Sequence, residues 1–256
     1  MPRTISTLTA LALTSALLIG AGPANADNQD GIALTPEVSQ RADRAALENP
    51  LTDSELARIA DEAVVDAPPL LKREAKELKA LAKGGELTAW AGGTEFKPQE
   101  EATAETSGTA ARASKSATTY AYQAKVWGAC GVTTPNSKLV RMFQTTTTPW
   151  VFRNVPMYCG TNGYGYRHIK SSHMRHWNDI AVLLGANWRD FADFAISDAL
   201  DHMYSGAYSK KNDTYTYKGV VQLKRYDGKT VKTYYPRVVV AAGNYKMITA
   251  FPSSGR

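Results

Sequence analysis

The stretch Tyr158–Leu184, YCGTNGYGYRHIKSSHMRHWNDIAVLL, sets the order of the elements around it. It holds three of the chain's four histidines, His168, His173 and His176. A glycine- and tyrosine-rich loop leads in, and an apolar periodic run follows. A serine hydroxyl accepts hydrogen bonds from the free N–H groups of a first helical turn, so Ser171 or Ser172 predicts a helix over about 171–184 ending near Gly185. On that helix His173, Trp177, Ile180 and Leu184 share one face, with His176 and Leu183 beside it. Two imidazoles then sit on the inward side, at the end nearest the loop, where they wall a pocket.

Three readings of these rings stay open. A histidine on an apolar helical face is commonly a hydrogen-bonded core residue. Clustered imidazoles flanked by Arg167, Lys170 and Arg175 suit proton transfer beside a phosphate, because histidine titrates near neutrality. They also suit metal binding, His173 and His176 sharing an ion with His168. Against a HExxH arrangement, no glutamate follows Glu105, so the glutamate base is missing.

Working outward, NWRDFADFAISDALDHM predicts a second helix over about 187–203. Asn187 caps it, and Trp188, Phe191, Ala195 and Ala199 form its buried face. His202, at its far end, reads as a partner for the helix dipole. Upstream, TTYAYQAKVWGACG, KLVRMFQ and WVFRNVPMYCG are β-branched and aromatic, and Pro135, Pro149 and Pro156 interrupt them, so short strands and loops are expected. Downstream, after an SGAYSKKND loop, the period becomes two: TYTYKGVVQLKRY, TVKTYYPRVVVAAG and NYKMITAFP. Asp227-Gly228 and Gly243-Asn244 supply tight turns. The fold class that follows is α+β: helices, then an antiparallel β-meander carrying them on one face, preceded by a partly helical acidic segment.

Charge divides the chain. Residues 27–118 carry 11 Lys and Arg against 17 Asp and Glu, and residues 119–256 carry 18 against 7. Those balances are −6 and +11. All thirteen tyrosines lie from Tyr120 onward. Ahead of the acidic half, residues 1–26 read as a secretory signal: Arg3, an apolar core over Leu8–Ile19, and an Ala24-Asn25-Ala26 cleavage site. The expected product is secreted, with no stable membrane insertion. Residues 27–118 are expected to be an acidic pro-segment or linker. Within them, helices start near Thr52 or Asp53 and after Pro69, the latter closed by Gly84 and Gly85, and a small-residue join spans 103–118. Their acidity suits masking of the basic domain, 119–256.

Cys130 and Cys159 in an exported chain point to a disulfide just ahead of the histidines, worth roughly 3 kcal/mol by loop entropy. Lys218, Lys224, Arg225, Lys232, Arg237 and Lys246 make the meander basic. A solvated outer face accounts for any one of them. Together they point to a polyanionic partner, with tyrosines stacking on unpaired bases, or to an anionic cell surface.

Residues 158–252 resemble nuclease toxins of the barnase, EndoU, colicin D and RelE superfamily, particularly those of contact-dependent inhibition. The resemblance rests on GYGYRHIKSSH, with His168 and His173 five apart, and on the closing RVVVAAGNYKMITAFP, with Thr249 and Phe251. It implies metal-independent cleavage of RNA, tRNA among the substrates, with no cofactor and with an immunity or inhibitor protein as a further partner. It implies catalytic roles for His168, His173, Thr249 and Arg237, and substrate contacts from Arg167, Arg175, His176, Tyr166 and Phe251. Where those toxins often place a cation before the second histidine, this chain has Ser172. A non-catalytic secreted cationic module and a histidine-ligated metal hydrolase are the alternatives.

Overall fold

The computed structural model describes residues 31–33, 35–48, 50–64, 72–83, 87–98, 127, 130–148 and 151–255. The signal at 1–26, the join at 103–118, Pro69, Gly84, Gly85 and the segment 119–126 lie outside them.

The fold is α+β, and the named strands pair antiparallel throughout. One sheet has the order β1-β6-β7-β10-β11, formed by Gly31–Ala33, Ser205–Ser209, Thr214–Lys218, Arg237–Ala241 and Met247–Phe251. A second has the order β3-β2-β8-β9, formed by Thr94–Glu95, Leu87–Ala91, Val221–Arg225 and Thr230–Tyr234. A hairpin joins β4 (Leu139–Thr148) to β5 (Val151–Tyr158). Helices α1 (Pro36–Glu48), α2 (Asp53–Val64) and α3 (Lys72–Lys83) come from the acidic half. The basic half supplies α4 (Gly165–His168), a π turn (Ile169–His173), α5 (Met174–Ala181), a 3₁₀ turn (Val182–Leu184) and α6 (Trp188–Asp201).

Local sequence explains several of these boundaries. Thr52-Asp-Ser-Glu55 closes a capping box, with Thr52 N donating to Glu55 Oε2 at 2.8 Å and Glu55 N to Thr52 Oγ1 at 3.4 Å. Asn187 caps α6 by accepting from Arg189 N at 2.9 Å. Ten of the fourteen residues of α6 are buried, so this helix is the hub of the core. Asp227-Gly228 and Gly243-Asn244 turn the β8–β9 and β10–β11 hairpins, with Gly228 and Gly243 at φ +81° and +76°.

Three features go beyond the sequence reading. The SGAYS segment, read as loop, is strand β6, paired with both β7 and β1. The meander is distributed over two sheets, because TYTYKGVVQLKRY breaks at Gly219 and β8 leaves for the second sheet. A Cβ on Gly219 would lie 2.8 Å from Ala199 Cα, so only glycine lets the chain cross so close to α6. Finally, the acidic half is no detached spacer: β1 extends the first sheet, β2 pairs with β8, and α2 lies on β10 and β11. Leu56, Ile59 and Ala60 of α2 are buried against Tyr164, Val239, Ala241 and Ile248.

Cys130 and Cys159 are disulfide-bonded, tying the loop before β4 to the end of β5. The integration of α2 is measurable. Leu56→Ala removes a side chain that is 1% exposed and should destabilise the whole chain by roughly 2–5 kcal/mol in urea unfolding. An unchanged midpoint is the outcome a mere spacer would give.

Candidate active site

The loop from Tyr158 to Tyr164 positions the first imidazole. Gly160 takes φ +62°, and a bridge between Thr161 and Tyr164 folds the loop back. The carbonyl of Asn162 then meets His168 Nδ1 at 2.9 Å. A carbonyl only accepts, so Nδ1 carries the proton and Nε2 of the neutral ring keeps its lone pair.

Helix begins at Gly165, six residues before the expected serine cap. Ser171 does not cap; its hydroxyl turns back and donates to the carbonyl of His168 at 3.2 Å. The backbone widens into the π turn over these residues. In a regular α-helix, residues five apart point about 140° away from each other. The wider turn instead brings His168 edge-to-face against His173, with ring centroids 5.2 Å apart. His176 follows at 5.7 Å from His173. Across from them, Phe251 of β11 lies 5.1 Å from the His173 ring. Thr249 stands two residues back on the same strand.

His168 and His173 are buried, at 1% and 0% exposure, and Thr249 at 0%. Burial, reinforced by the neighbouring His168 and His176, pushes His173 down to about 3, so it is neutral at physiological pH. His168 Nε2, both nitrogens of His173, His176 Nδ1 and Thr249 Oγ1 have no hydrogen-bond partner among the described residues. A buried polar atom without a partner costs roughly 1–3 kcal/mol. Simple core packing does not concentrate such groups; a site for a polar ligand does.

The register brings cations to the same place. Arg237 of β10 is paired with Phe251 on one side and with Lys218 of β7 on the other. Directly paired residues share a sheet face, so Lys218, Arg237 and Phe251 form one row that ends against His173. Arg237 and Lys218 are each only 8% exposed. In the sequence Lys218 reads only as one of six basic residues of the meander, because nothing in the linear spacing tells that β7 skips β8 to pair with β10.

Three expected substrate contacts are placed elsewhere. Tyr166 is 1% exposed and packs among Trp127 and Trp188, which makes it a core residue. Arg167 is committed to the disulfide loop, donating to Asn136 Oδ1 at 2.7 Å, to Gly131 O at 2.8 Å, and to Gly160 O and Thr134 O. That guanidinium braces the loop and is not directed at the histidines. Arg175 is exposed on the outer face of α5. No group of three or more His, Cys, Asp and Glu among the described residues is arranged to hold a metal ion. A cavity of about 400 Å³ opens elsewhere, lined in part by Arg141, Gln144, Ser197, Asp198, Asp201 and His202 and by none of the clustered histidines.

Comparison with known proteins adds relatives without a function. The uncharacterized proteins MT0764 and Rv0739 of Mycobacterium tuberculosis, from strains CDC 1551 / Oshkosh and ATCC 25618 / H37Rv, are each 37% identical over 142 residues. The matched region is 52% of this chain and 52% of each relative, so the chain spans about half the length of the curated relatives it matches. No family model matches, and no solved structure does.

The neutral His173 has a thermodynamic consequence. Its folded value, about 3, lies below the ordinary 6.5, so the unfolded chain binds the extra proton first as pH falls. Stability contributed by this residue is therefore intact above about pH 6.5 and declines below it, by roughly 2 kcal/mol on going from pH 7 to pH 5. Urea unfolding at the two pH values should show that loss in the native chain relative to His173→Asn. Equal pH dependence in both proteins would mean that His173 is charged in the folded state.

Proposed function

We propose that the chain is a secreted, toxin-like endoribonuclease that cleaves RNA without a metal ion. The observation that carries this reading is the set of imidazole nitrogens and Thr249 Oγ1 gathered, without protein partners among the described residues, where the π turn meets β11. The resemblance of the histidine stretch and the closing hairpin to the barnase, EndoU, colicin D and RelE toxins supports it. So does the charge of the basic half, whose row of Lys218 and Arg237 runs to the same point.

The chemistry needs a base, an acid and a charge-stabilising group, and this set supplies each. A neutral imidazole takes the proton of a ribose 2′-OH, whose oxygen attacks the adjacent phosphorus. A second imidazole, protonated, gives its proton to the departing 5′-oxygen. The P–O5′ bond breaks and a 2′,3′-cyclic phosphate remains. His168 and His173 share these roles. His168 is held with Nε2 as its free nitrogen by the Asn162 carbonyl. Arg237 neutralises the phosphorane, and the Thr249 hydroxyl donates to one of its oxygens. Phe251 sets the tilt of the His173 ring, at 31° between planes. DNA has no 2′-OH and is spared.

His168 and His173 are sealed in the described state, so cleavage requires that their cover move. Export fits the disulfide, which would persist in an oxidising compartment. A producing cell would then need an inhibitor until export is complete.

The full chain incubated with total RNA and with tRNA in EDTA should yield slow cleavage with 2′,3′-cyclic phosphate ends. An oligonucleotide with 2′-deoxyribose at every position should stay intact. His173→Ala should lower the rate by about 10²-fold or more. RNA left whole by folded protein removes the proposal.

A further inference from the structure

One carboxylate of the acidic half is held entirely by donors of the basic half. On α1, Asp43 Oδ1 accepts from the Tyr215 hydroxyl at 2.7 Å and from Gly243 N at 3.2 Å. Asp43 Oδ2 accepts from the Tyr245 hydroxyl at 2.9 Å, and Arg153 Nε lies 4.0 Å from it. Arg153 also lies over the Tyr245 ring, 5.9 Å from its centroid, which orients the guanidinium toward the same point. Burial raises both tyrosine hydroxyls above their ordinary range, so each remains a donor. Two hydroxyls, a backbone N–H and a guanidinium converging on two oxygens of one anion match phosphodiester oxygens as well as they match a carboxylate.

The surroundings repeat the pattern. Asp53 of α2 lies 4.0 Å from Lys246, and Glu62 lies 4.0 Å from Lys211. Each is an acidic-half carboxylate against a basic-half cation. Lys246 in turn sits over the Tyr164 ring at 4.4 Å, at the entry to the histidine helix. Ala57 of α2 presses on the loop that holds His168: a Cβ on Gly163 would be 2.4 Å from Ala57 Cβ. The helix bearing these carboxylates therefore rests next to the Asn162 carbonyl on which His168 depends.

We propose that Tyr215, Tyr245, Arg153 and the backbone N–H of Gly243 form a phosphate subsite for an RNA backbone, occupied in this state by Asp43 as a built-in anion mimic. The subsite rests on the ribonuclease reading for its ligand class. While Asp43 fills it, α1 stays docked and covers the subsite. RNA that displaces the carboxylate takes the same four donors. The face of α1 on this interface includes Ser39, Ala42 and Asp43, spaced to share one side of the helix, so the carboxylate is a principal part of what is undone.

The test uses the full chain and a single-stranded 2′-O-methyl oligonucleotide, which binds as RNA does but lacks the attacking hydroxyl. Asp43→Asn keeps the shape and removes the charge. Fluorescence anisotropy at about 0.1 M salt should show the oligonucleotide bound about tenfold more tightly than by the native chain. Adding Tyr245→Phe to that variant should abolish the gain. A folded Asp43→Asn protein with unchanged affinity overturns the proposal, as does a gain that survives both Tyr245→Phe and Arg153→Gln. If Asp43→Asn does not fold, hydrogen exchange of the native chain decides. The oligonucleotide should speed exchange at the α1 amides, and unchanged or slower exchange there overturns the proposal. Neither readout depends on cleavage. Tighter binding with no RNase activity would leave an anion subsite and remove the catalytic reading, and activity without the binding change would do the reverse.

Discussion

Strand β11 is the edge of its sheet, and the indole N–H of Trp177 donates to its Ala250 carbonyl at 3.3 Å. An edge strand presents unpaired backbone groups, which proteins commonly cover. Here the cover is the histidine helix itself, and the bond fixes that helix in both height and rotation against the sheet. Phe251, next along the strand, then meets His173. On the far side of Trp177, Phe191 of α6 packs at 6.1 Å, so the same side chain also ties the helix to the core. Much of the site's geometry follows from that anchorage. The π turn brings the imidazoles together, the strand sets Phe251 against His173, and the register of β7 and β10 adds the cations.

Elements that depend on nearby residues were legible in the sequence. The α6 helix, its Asn187 cap, the glycine turns of two hairpins and the Cys130–Cys159 bond all follow from contacts within a few residues or from a single possible pairing. The buried face of His173, Trp177 and Ile180 was legible too, because apolar periodicity survives whatever lies upstream. The π turn was not. A serine reads equally well as a cap or as a residue that bonds back into a helix, and only tertiary packing on β11 chooses between them. The pairing of Lys218 with Arg237 and the strand β6 were not legible for a related reason. A period-two pattern tells which residues share a face, but not which strand lies alongside. The steric close approach at Gly219 sends β8 to another sheet, and this is a contact with Ala199, twenty residues away in sequence.

The acidic half was the largest revision. Composition distinguishes it from the basic half, and opposite charge is as much a reason for two segments to associate as for them to be distinct. Helix α2 has a narrow apolar face because it buries that face against one side of the sheet and leaves the rest in water. Leu56, Ile59 and Ala60 suffice when the receiving surface is a strand pair already flattened by Val239, Ala241 and Ile248. The carboxylates then orient what the apolar contacts hold. Arg58 pairs with Glu62 along α2 and reaches Asn212 at 3.3 Å, so even the rim of this interface is specified.

Cover and chemistry are linked through the imidazoles. Sealing His168 and His173 withdraws water from them, and that withdrawal lowers the basicity of His173. Whatever admits solvent and anion to the rings restores that basicity. An anion beside them stabilises the imidazolium further. Binding free energies are reciprocal: a ligand that favours the open arrangement is itself bound more tightly once the acidic segment has moved. The covered state therefore combines two properties that need no separate device. In it the apolar contacts of α2 are made, and in it His173 is neutral.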